Sequence, residues 1–509
     1  MTSNGPSYHF AYYCSGHGQS FSLALAGDKN LTIKEIRAGF GHATRVTEIT
    51  ARLLRRRHRV TIVSSAPEKV FESVLMTPAL PPSHTATYRF AIFEPTVVQP
   101  KAYLVDRLAT FNNLSSFLSH KRLSIIEQER QWLLHHLVDC VLIDAPFLPC
   151  AAASEAKIPS VIISNFTFDS CYSYLSAFDV EEEEQHIEAE RLDALVAITV
   201  DDYSKAELLL RLPGELPIPG FDADIELPSA KWLEERTGLF RTEIEQKLQR
   251  PMREELARRH KTVIDLPLIV RPLSGSAYDP QTKLALLNTL GVPAELQKYD
   301  TKILLVSFGG QVIPSPRPPT STDHDITDSA AGSEIDLLHN SLLPPGWIAI
   351  ICGLPSKYHA HDIPDRFFSI GDSKFHYVPD LTAIADVVLG KLGYGTCSEV
   401  IATRTPFISV PRKMFLEEYG LRRLMRRTCT VNVEMSIRDF EEGRWASYVL
   451  LAERLGRQQQ KDLITQSSPT THVLHDSIKK TKDNALTVDI VVDHLEVFMS
   501  HKKMSLPSA

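Results

Sequence analysis

The feature that most constrains this chain is a unit that recurs along it: a short apolar run, a turn of small or polar residues, then a segment of helical spacing. Phe10 to Cys14 runs into Ser15-Gly16-His17-Gly18, Val138 to Ile143 stops at Asp144-Ala145-Pro146, and Ser160 to Ile163 leads to Ser164-Asn165-Phe166. In the second half, Ile303 to Ser307 ends at Phe308-Gly309-Gly310-Gln311. Val387 to Leu389 likewise runs into Gly390-Lys391-Leu392-Gly393-Tyr394-Gly395-Thr396. Apolar runs this short have the length of buried strands, and their alternation with helical segments implies a parallel sheet wound on both faces. The alternation occurs twice, so the expected architecture is two doubly wound α/β units with a cleft between them. Ligands of such sheets sit at the carboxyl ends of the strands.

The length of 509 residues suits two or three domains rather than one core. The expected boundaries are an N-terminal unit over 8–270 with inserts at 19–39 and 229–262, a second unit over 271–455 with a disordered insert at 312–340, and a polar tail with a last helix over 456–509. A net charge of −7 gives no electrostatic footprint for nucleic acid. The basic run Arg55-Arg56-Arg57-His58-Arg59 suits a solvated helix end, where cations complement the dipole. Seven scattered cysteines without a CxxC pair fit buried thiols of a reducing compartment better than disulfides or zinc. Met1 to Ser7 lacks a secretory pattern and no apolar stretch reads as a membrane span, so the expected location is cytoplasmic.

The turn at Gly393 admits two readings. Glycines let backbone N–H groups approach an anion, and a helix start behind them supplies unpaired donors and a positive dipole end. Thr396 and Glu399 also stand in capping-box spacing, which would simply start the helix. Asp144 and Asn165 share the strand-end position with Gly16 to Gly18; taken singly, Asp144 suits a helix cap and Asn165 a turn. A nicotinamide-dependent dehydrogenase fits poorly, because the first turn has no clean GxGxxG followed by an acidic residue at the proper distance.

Several phrases, in order, carry a family resemblance: Phe40-Gly41-His42-Ala43-Thr44-Arg45, Val105-Asp106-Arg107-Leu108-Ala109, Ser164-Asn165-Phe166, Leu210-Arg211-Leu212-Pro213, Phe308-Gly309-Gly310-Gln311, Leu389 to Thr396, and Phe415-Leu416-Glu417-Glu418. From about Tyr8 to Tyr448 the chain resembles the N-terminal, glycosyltransferase-like region of plant L-arabinokinases and its stand-alone microbial relatives. The resemblance implies a GT-B fold of two Rossmann-like domains facing a cleft. Nothing after Leu455 resembles the GHMP sugar kinase that the plant proteins add, so kinase activity does not transfer. Relatives have a continuous first glycine phrase, whereas here Gln19 to Gly39 separates Gly16-His17-Gly18 from Phe40-Gly41-His42.

By that resemblance the chain is expected to transfer a hexosyl-type group from a nucleotide sugar, UDP-linked, to an unknown small-molecule or lipid acceptor, with inversion. It would need no metal and no cofactor beyond the co-substrate. The alternative is a catalytically silent nucleotide-sugar or sugar-binding module. The amides around Gly393, Tyr394, Gly395 and Thr396 would take the diphosphate with Lys391 adding charge, Gly309 and Gly310 would flank the donor, Glu399 would hold the ribose, and Glu417 and Glu418 the donor sugar. A histidine is the usual general base near neutral pH. His42 is preferred over His17 because it keeps its complete phrase, and Asp144 would orient the base or the acceptor.

Overall fold

The computed structural model describes residues 6–16, 40–76, 85–177, 187–222, 224–249, 261–274, 280–298, 300–309, 311, 313, 316, 341–354, 363–370, 377–465 and 484–504. The first lobe is a seven-stranded sheet built from β1 (His9–Cys14), β2 (Arg59–Ser64), β3 (Ala86–Phe90), β4 (Cys140–Asp144), β5 (Ser160–Ser164), β6 (Leu208–Arg211) and β7 (Thr262–Asp265). Their order is β3-β2-β1-β4-β5-β6-β7, every pairing parallel. The second is a six-stranded parallel sheet of β8 (Lys302–Ser307), β9 (Trp347–Ile351), β10 (Phe367–Ser369), β11 (Val387–Gly390), β12 (Phe407–Ser409) and β13 (Asn432–Glu434). Its order, β10-β9-β8-β11-β12-β13, reverses direction between β8 and β11, as the first sheet does between β1 and β4. Two wound parallel sheets of this topology make the GT-B architecture.

The central strands are buried on both faces, which is why their sequences read as unbroken apolar runs rather than alternating ones. Register is enforced at the second switch point, where Gly390 pairs with Ser307. A β-carbon at Gly390 would lie 2.0 Å from the Ser307 carbonyl oxygen, so the strands meet this closely only because that residue is glycine.

One apolar cluster runs through both lobes, joining Phe10, Ile62 and Leu142 of the first to Leu305, Val388 and Tyr394 of the second. At about 1.5–3 kcal/mol per fully buried large apolar side chain, a shared cluster of this kind opposes separation of the lobes. The last helix, Asn484–Met504, adds Val488, Val491, Val492, Leu495 and Met499 to the cluster. Its acidic residues hold Arg52 and the basic run after it: Asp489 takes Arg52 and Arg56, Asp493 takes Arg56 at 2.7 Å, and Glu496 takes His58 Nε2 at 3.1 Å. The run is therefore partly an intramolecular clamp and not only a solvated end.

The region 102–137 is two helices, Arg107–His120 and Arg122–His135, broken at Lys121. The described part of the expected insert at 229–262 buries Trp232, Leu233, Phe240 and Leu248 in the first lobe's core, so it packs as part of that lobe. Residues 17–39, with His17 and the whole of the expected insert at 19–39, lie outside the described residues, as do Gly310 and most of 312–340.

Candidate functional site

The site forms where helix α1 (Phe40–Arg55), the ends of β4 and β5, and the second lobe's turn at Gly393 come together. His42 and Arg45 are three residues apart near the start of α1, so they share one helix face. That face meets Asp144, the last residue of β4. His42 Nδ1 lies 3.1 Å from Asp144 Oδ1, while Arg45 donates from Nε to Oδ2 at 2.9 Å and from Nη2 to Oδ1. Asp144 is fully buried. Burial opposes its charge, but Arg45 and His42 outweigh burial and hold the carboxyl below the usual carboxylate range. Asp144 thus serves His42 and Arg45 and does not cap the following helix, whose N-cap residue is Phe147. Phe166 and Phe168 wall the imidazole, with ring centroids 5.8 and 6.4 Å away.

Arg45 reaches further. Its Nη1 donates to Asn165 Oδ1 at 2.9 Å, and its guanidinium stacks 4.9 Å from the ring centre of Tyr394 in the other lobe. The Tyr394 hydroxyl accepts the Ile269 N–H at 3.2 Å, pinning the interlobe linker to the same point. Asn165 Nδ2 donates to Glu417 Oε1 at 3.4 Å, again across the cleft.

Helix α2 (Tyr394–Thr403) begins behind Gly393, which has no side chain to cap it. Thr396 and Glu399 lie inside the helix, so the capping-box reading of that pair is not realised; α2 opens with N–H groups that no N-cap side chain satisfies. A β-carbon at Gly393 would meet no atom within 4 Å, whereas one at Gly395 would lie 3.4 Å from Thr44 Oγ1 and 3.7 Å from Gly41 Cα. The first turns of α1 and α2 therefore approach each other, and two positive dipole ends converge beside open space at Gly393.

Around that space sit Lys391, Gly309 in the left-handed region (φ +64°), and the start of helix α3 (Glu417–Arg427). Burial, with Arg412 nearby, pulls the Lys391 amine down to about 7 while Glu417 and Glu418 oppose the shift. Burial pushes Glu418 up to about 7 against the pull of Arg412. Arg412 is 3.5 Å from Glu417 Oε2 and 3.3 Å from Glu418 Oε1, and donates its backbone N–H to Glu418 Oε2 at 2.8 Å. Glu399 lies one turn beyond Gly395 along α2, where its Oε1 receives Arg271 Nε at 2.9 Å and Nη2 at 2.5 Å, and its Oε2 the Thr382 hydroxyl at 3.3 Å.

The structure thus gathers His42, Asp144, Gly309, Lys391, Gly393, Tyr394, Gly395, Thr396, Glu417 and Glu418 about one cleft, with Glu399 one helical turn further along α2 and held by Arg271. Arg45, Asn165, Arg271 and Arg412 complete the arrangement. Arg45 and Asn165 stood within the phrases already noted, whereas Arg271 and Arg412 flank the motifs and carry no spacing signal of their own. Among the described residues no three of His, Cys, Asp and Glu are grouped to hold a metal ion, and no helix is long and apolar enough to cross a membrane.

No protein-family model matches the chain. Over 441 residues, 86% of its length, it is 29% identical to an L-arabinokinase of Arabidopsis thaliana; the matched part is 32% of that protein, so the chain spans about a third of the relative's length. Among solved structures it is similar to the calicheamicin glycosyltransferase CalG4, at 13% identity and a TM-score of 0.48 with 97% of this chain and 98% of that one covered. It is also similar to Glycyrrhiza uralensis UGT73P12 complexed with glycyrrhetinic acid 3-O-monoglucuronide, at 11% identity and 0.48, with 98% and 97% covered. The spinosyn rhamnosyltransferase SpnG gives 10% identity and 0.45, with 96% and 99% covered. Along most of its sequence the chain is thus similar to a part of a plant L-arabinokinase, and its two wound parallel sheets have the GT-B arrangement.

Proposed function

We propose that the protein is a glycosyltransferase that moves a hexosyl group from a nucleotide sugar, UDP-linked, to a hydroxyl of a small-molecule or lipid acceptor. The observation that carries this reading is the His42–Asp144 pair lying across the cleft from an uncapped helix start at Gly393. In the proposed reaction His42 Nε2 takes the acceptor proton, the acceptor oxygen bonds to the anomeric carbon, and the bond to the diphosphate oxygen breaks. Attack from the face opposite the diphosphate inverts the anomeric centre. The leaving charge is met by the α2 amides and by Lys391, which the anion would favour in its ammonium form, so the scheme calls for no metal or other cofactor. Glu417 and Glu418 are assigned to the sugar hydroxyls, and Glu399 to the ribose once Arg271 yields. We assign the activity to the cytoplasm, where seven unpaired thiols are stable.

One observation favours the second reading, a binding module without turnover: the Glu399 carboxylate is held by Arg271. Incubating the protein with a panel of UDP-sugars and following UDP release, with and without candidate acceptors, separates the two. Release that falls on the order of 10²-fold or more in His42→Ala supports transfer. Saturable UDP binding with no release from any donor, in wild type as in His42→Ala, would leave the module.

A further inference from the structure

The His42 ring nitrogen nearest Asp144 has two suitors. Nδ1 is 3.1 Å from Asp144 Oδ1, which only accepts, and 3.1 Å from Arg45 Nη2, which only donates. A neutral imidazole satisfies one of them. With the proton on Nδ1 and shared with Asp144, Nε2 carries a lone pair and is a base. With Arg45 donating to Nδ1, the proton moves to Nε2 and the ring cannot accept one there.

What decides between these states is the orientation of the Arg45 guanidinium. It is planar, and two bonds set its plane: Nε to Asp144 Oδ2 at 2.9 Å and Nη1 to Asn165 Oδ1 at 2.9 Å. Of the two Nη2 hydrogens one goes to Asp144 Oδ1; the other has Ser164 Oγ at 3.3 Å as an alternative to His42. The Asn165 amide is itself oriented unambiguously, since an arginine only donates to its oxygen and a carboxylate only accepts from its nitrogen. That carboxylate is Glu417 of the other lobe. Arg45, Asp144 and Asn165 are almost wholly buried, so water offers them little as a substitute partner.

We propose that Asn165, anchored on Glu417 across the cleft, turns the second Nη2 hydrogen of Arg45 toward Ser164 and thereby keeps the proton of neutral His42 on Nδ1, so that the base is ready only when the two lobes are joined at this point. Arg45 and Asn165 are positioning residues: neither meets the reacting atoms, and both act through the tautomer of His42. The proposal rests on reading His42 as the base, yet the tautomer is observable without substrate, so its failure is distinct from a failure to find transfer.

The test is nitrogen NMR of imidazole-labelled full-length protein, with the His42 signal assigned by its loss in His42→Gln and spectra taken where the ring is neutral. Wild type is expected to show a protonated Nδ1 and an unprotonated Nε2. Asn165→Ala is expected to shift the population toward protonated Nε2, and to lower any turnover in the Proposed-function assay on the order of tenfold or more, with UDP affinity held within about twofold. Asn165→Asp keeps a partner for Arg45 but repels Glu417; it shifts the tautomer in the same direction and serves if the alanine variant does not fold. A wild-type ring already protonated on Nε2, or the same tautomer in wild type and in whichever Asn165 variant folds, overturns the proposal.

Discussion

Replacing Lys391 by methionine should make the folded protein more stable and its donor site weaker. An amine that titrates at 10.5 in an open chain and at about 7 when folded penalises the folded state. At about 1.4 kcal/mol per pH unit, the penalty at pH 7 is on the order of 4 kcal/mol. The sign follows from proton counts: between pH 7 and 10.5 the unfolded chain binds more protons, so wild-type stability rises with pH through that window. The penalty is complete below about 7 and absent above 10.5. Methionine removes it while filling similar volume, but Glu417 and Glu418 then lose a cation, so the net gain should be about 1–3 kcal/mol at pH 7. For a cooperative unit the size of one lobe this is roughly 2–12 °C in Tm. The same change removes a charge-assisted contact to the diphosphate, contributing about 1.5–3 kcal/mol, so UDP should bind roughly 10- to 100-fold more weakly. Urea denaturation at pH 7 and pH 9 and titration calorimetry with UDP read the two effects. If the variant is no more stable than wild type at pH 7, or gains as much at pH 9 as at pH 7, the electrostatic reasoning fails. Unchanged UDP affinity would remove Lys391 from the donor site.

Two further changes probe burial and closure. Burial pushes Asp169 up from 3.8 to about 6, so the folded state binds the extra proton between those values and loses stability as pH rises through them. Asp169→Asn should therefore gain about 1–3 kcal/mol at pH 8 and progressively less toward pH 4, and a gain that does not vary with pH in urea titrations would contradict the assignment. Gly420 of α3 packs on the first lobe so closely that a β-carbon there would lie 2.4 Å from the Gly214 carbonyl oxygen. Backbone against backbone cannot yield, so Gly420→Ala should cost about 1–3 kcal/mol and part the lobes, visible as a lower Tm and a larger radius in small-angle scattering; no change in either would show that the lobes have slack.

Much of the fold was legible because a buried parallel strand announces itself as a short apolar run. β1, β4, β5, β8 and β11 each read that way and each is a central strand. Edge strands give no such signal: β7 buries only Val263, and β13 is three residues with one buried. The break at Lys121 carries no sequence signal, because two consecutive helices leave no Gly or Pro between them. The strand-end rule brought Asp144 and Asn165 together and the family phrase brought in His42, but neither gave the role of Arg45. Its partners Asp144 and Asn165 are about a hundred residues away in the chain, and polar pairing of that range leaves no periodicity. Capping-box spacing at Thr396 and Glu399 misled because a glycine loop sets the helix start by backbone conformation, and here the start falls earlier than the spacing supposes.

The remaining question at the first glycine phrase concerns the chain between β1 and α1. Twenty-five residues, 15–39, join them, where strand-to-helix connections in such folds ordinarily take about 2–6. Both ends are fixed. Glu94 Oε1 accepts the Ser15 hydroxyl at 2.8 Å and the Gly16 N–H at 3.2 Å, and α1 is held by Asp144 through His42 and Arg45. Deleting Gln19–Gly39 would leave Ser15-Gly16-His17-Gly18 as a connection of ordinary length leading straight into Phe40-Gly41-His42. By loop-closure entropy the shorter connection should stabilise the fold by up to about 1.6 kcal/mol. It should preserve the His42–Asp144 pair and UDP affinity, and bring His17 into a phrase continuous with His42. The expected result is a Tm at or above that of the full chain, with UDP binding intact. A deletion protein that fails to fold, or that folds and no longer binds UDP, would show that the block is part of the site rather than an interruption of it.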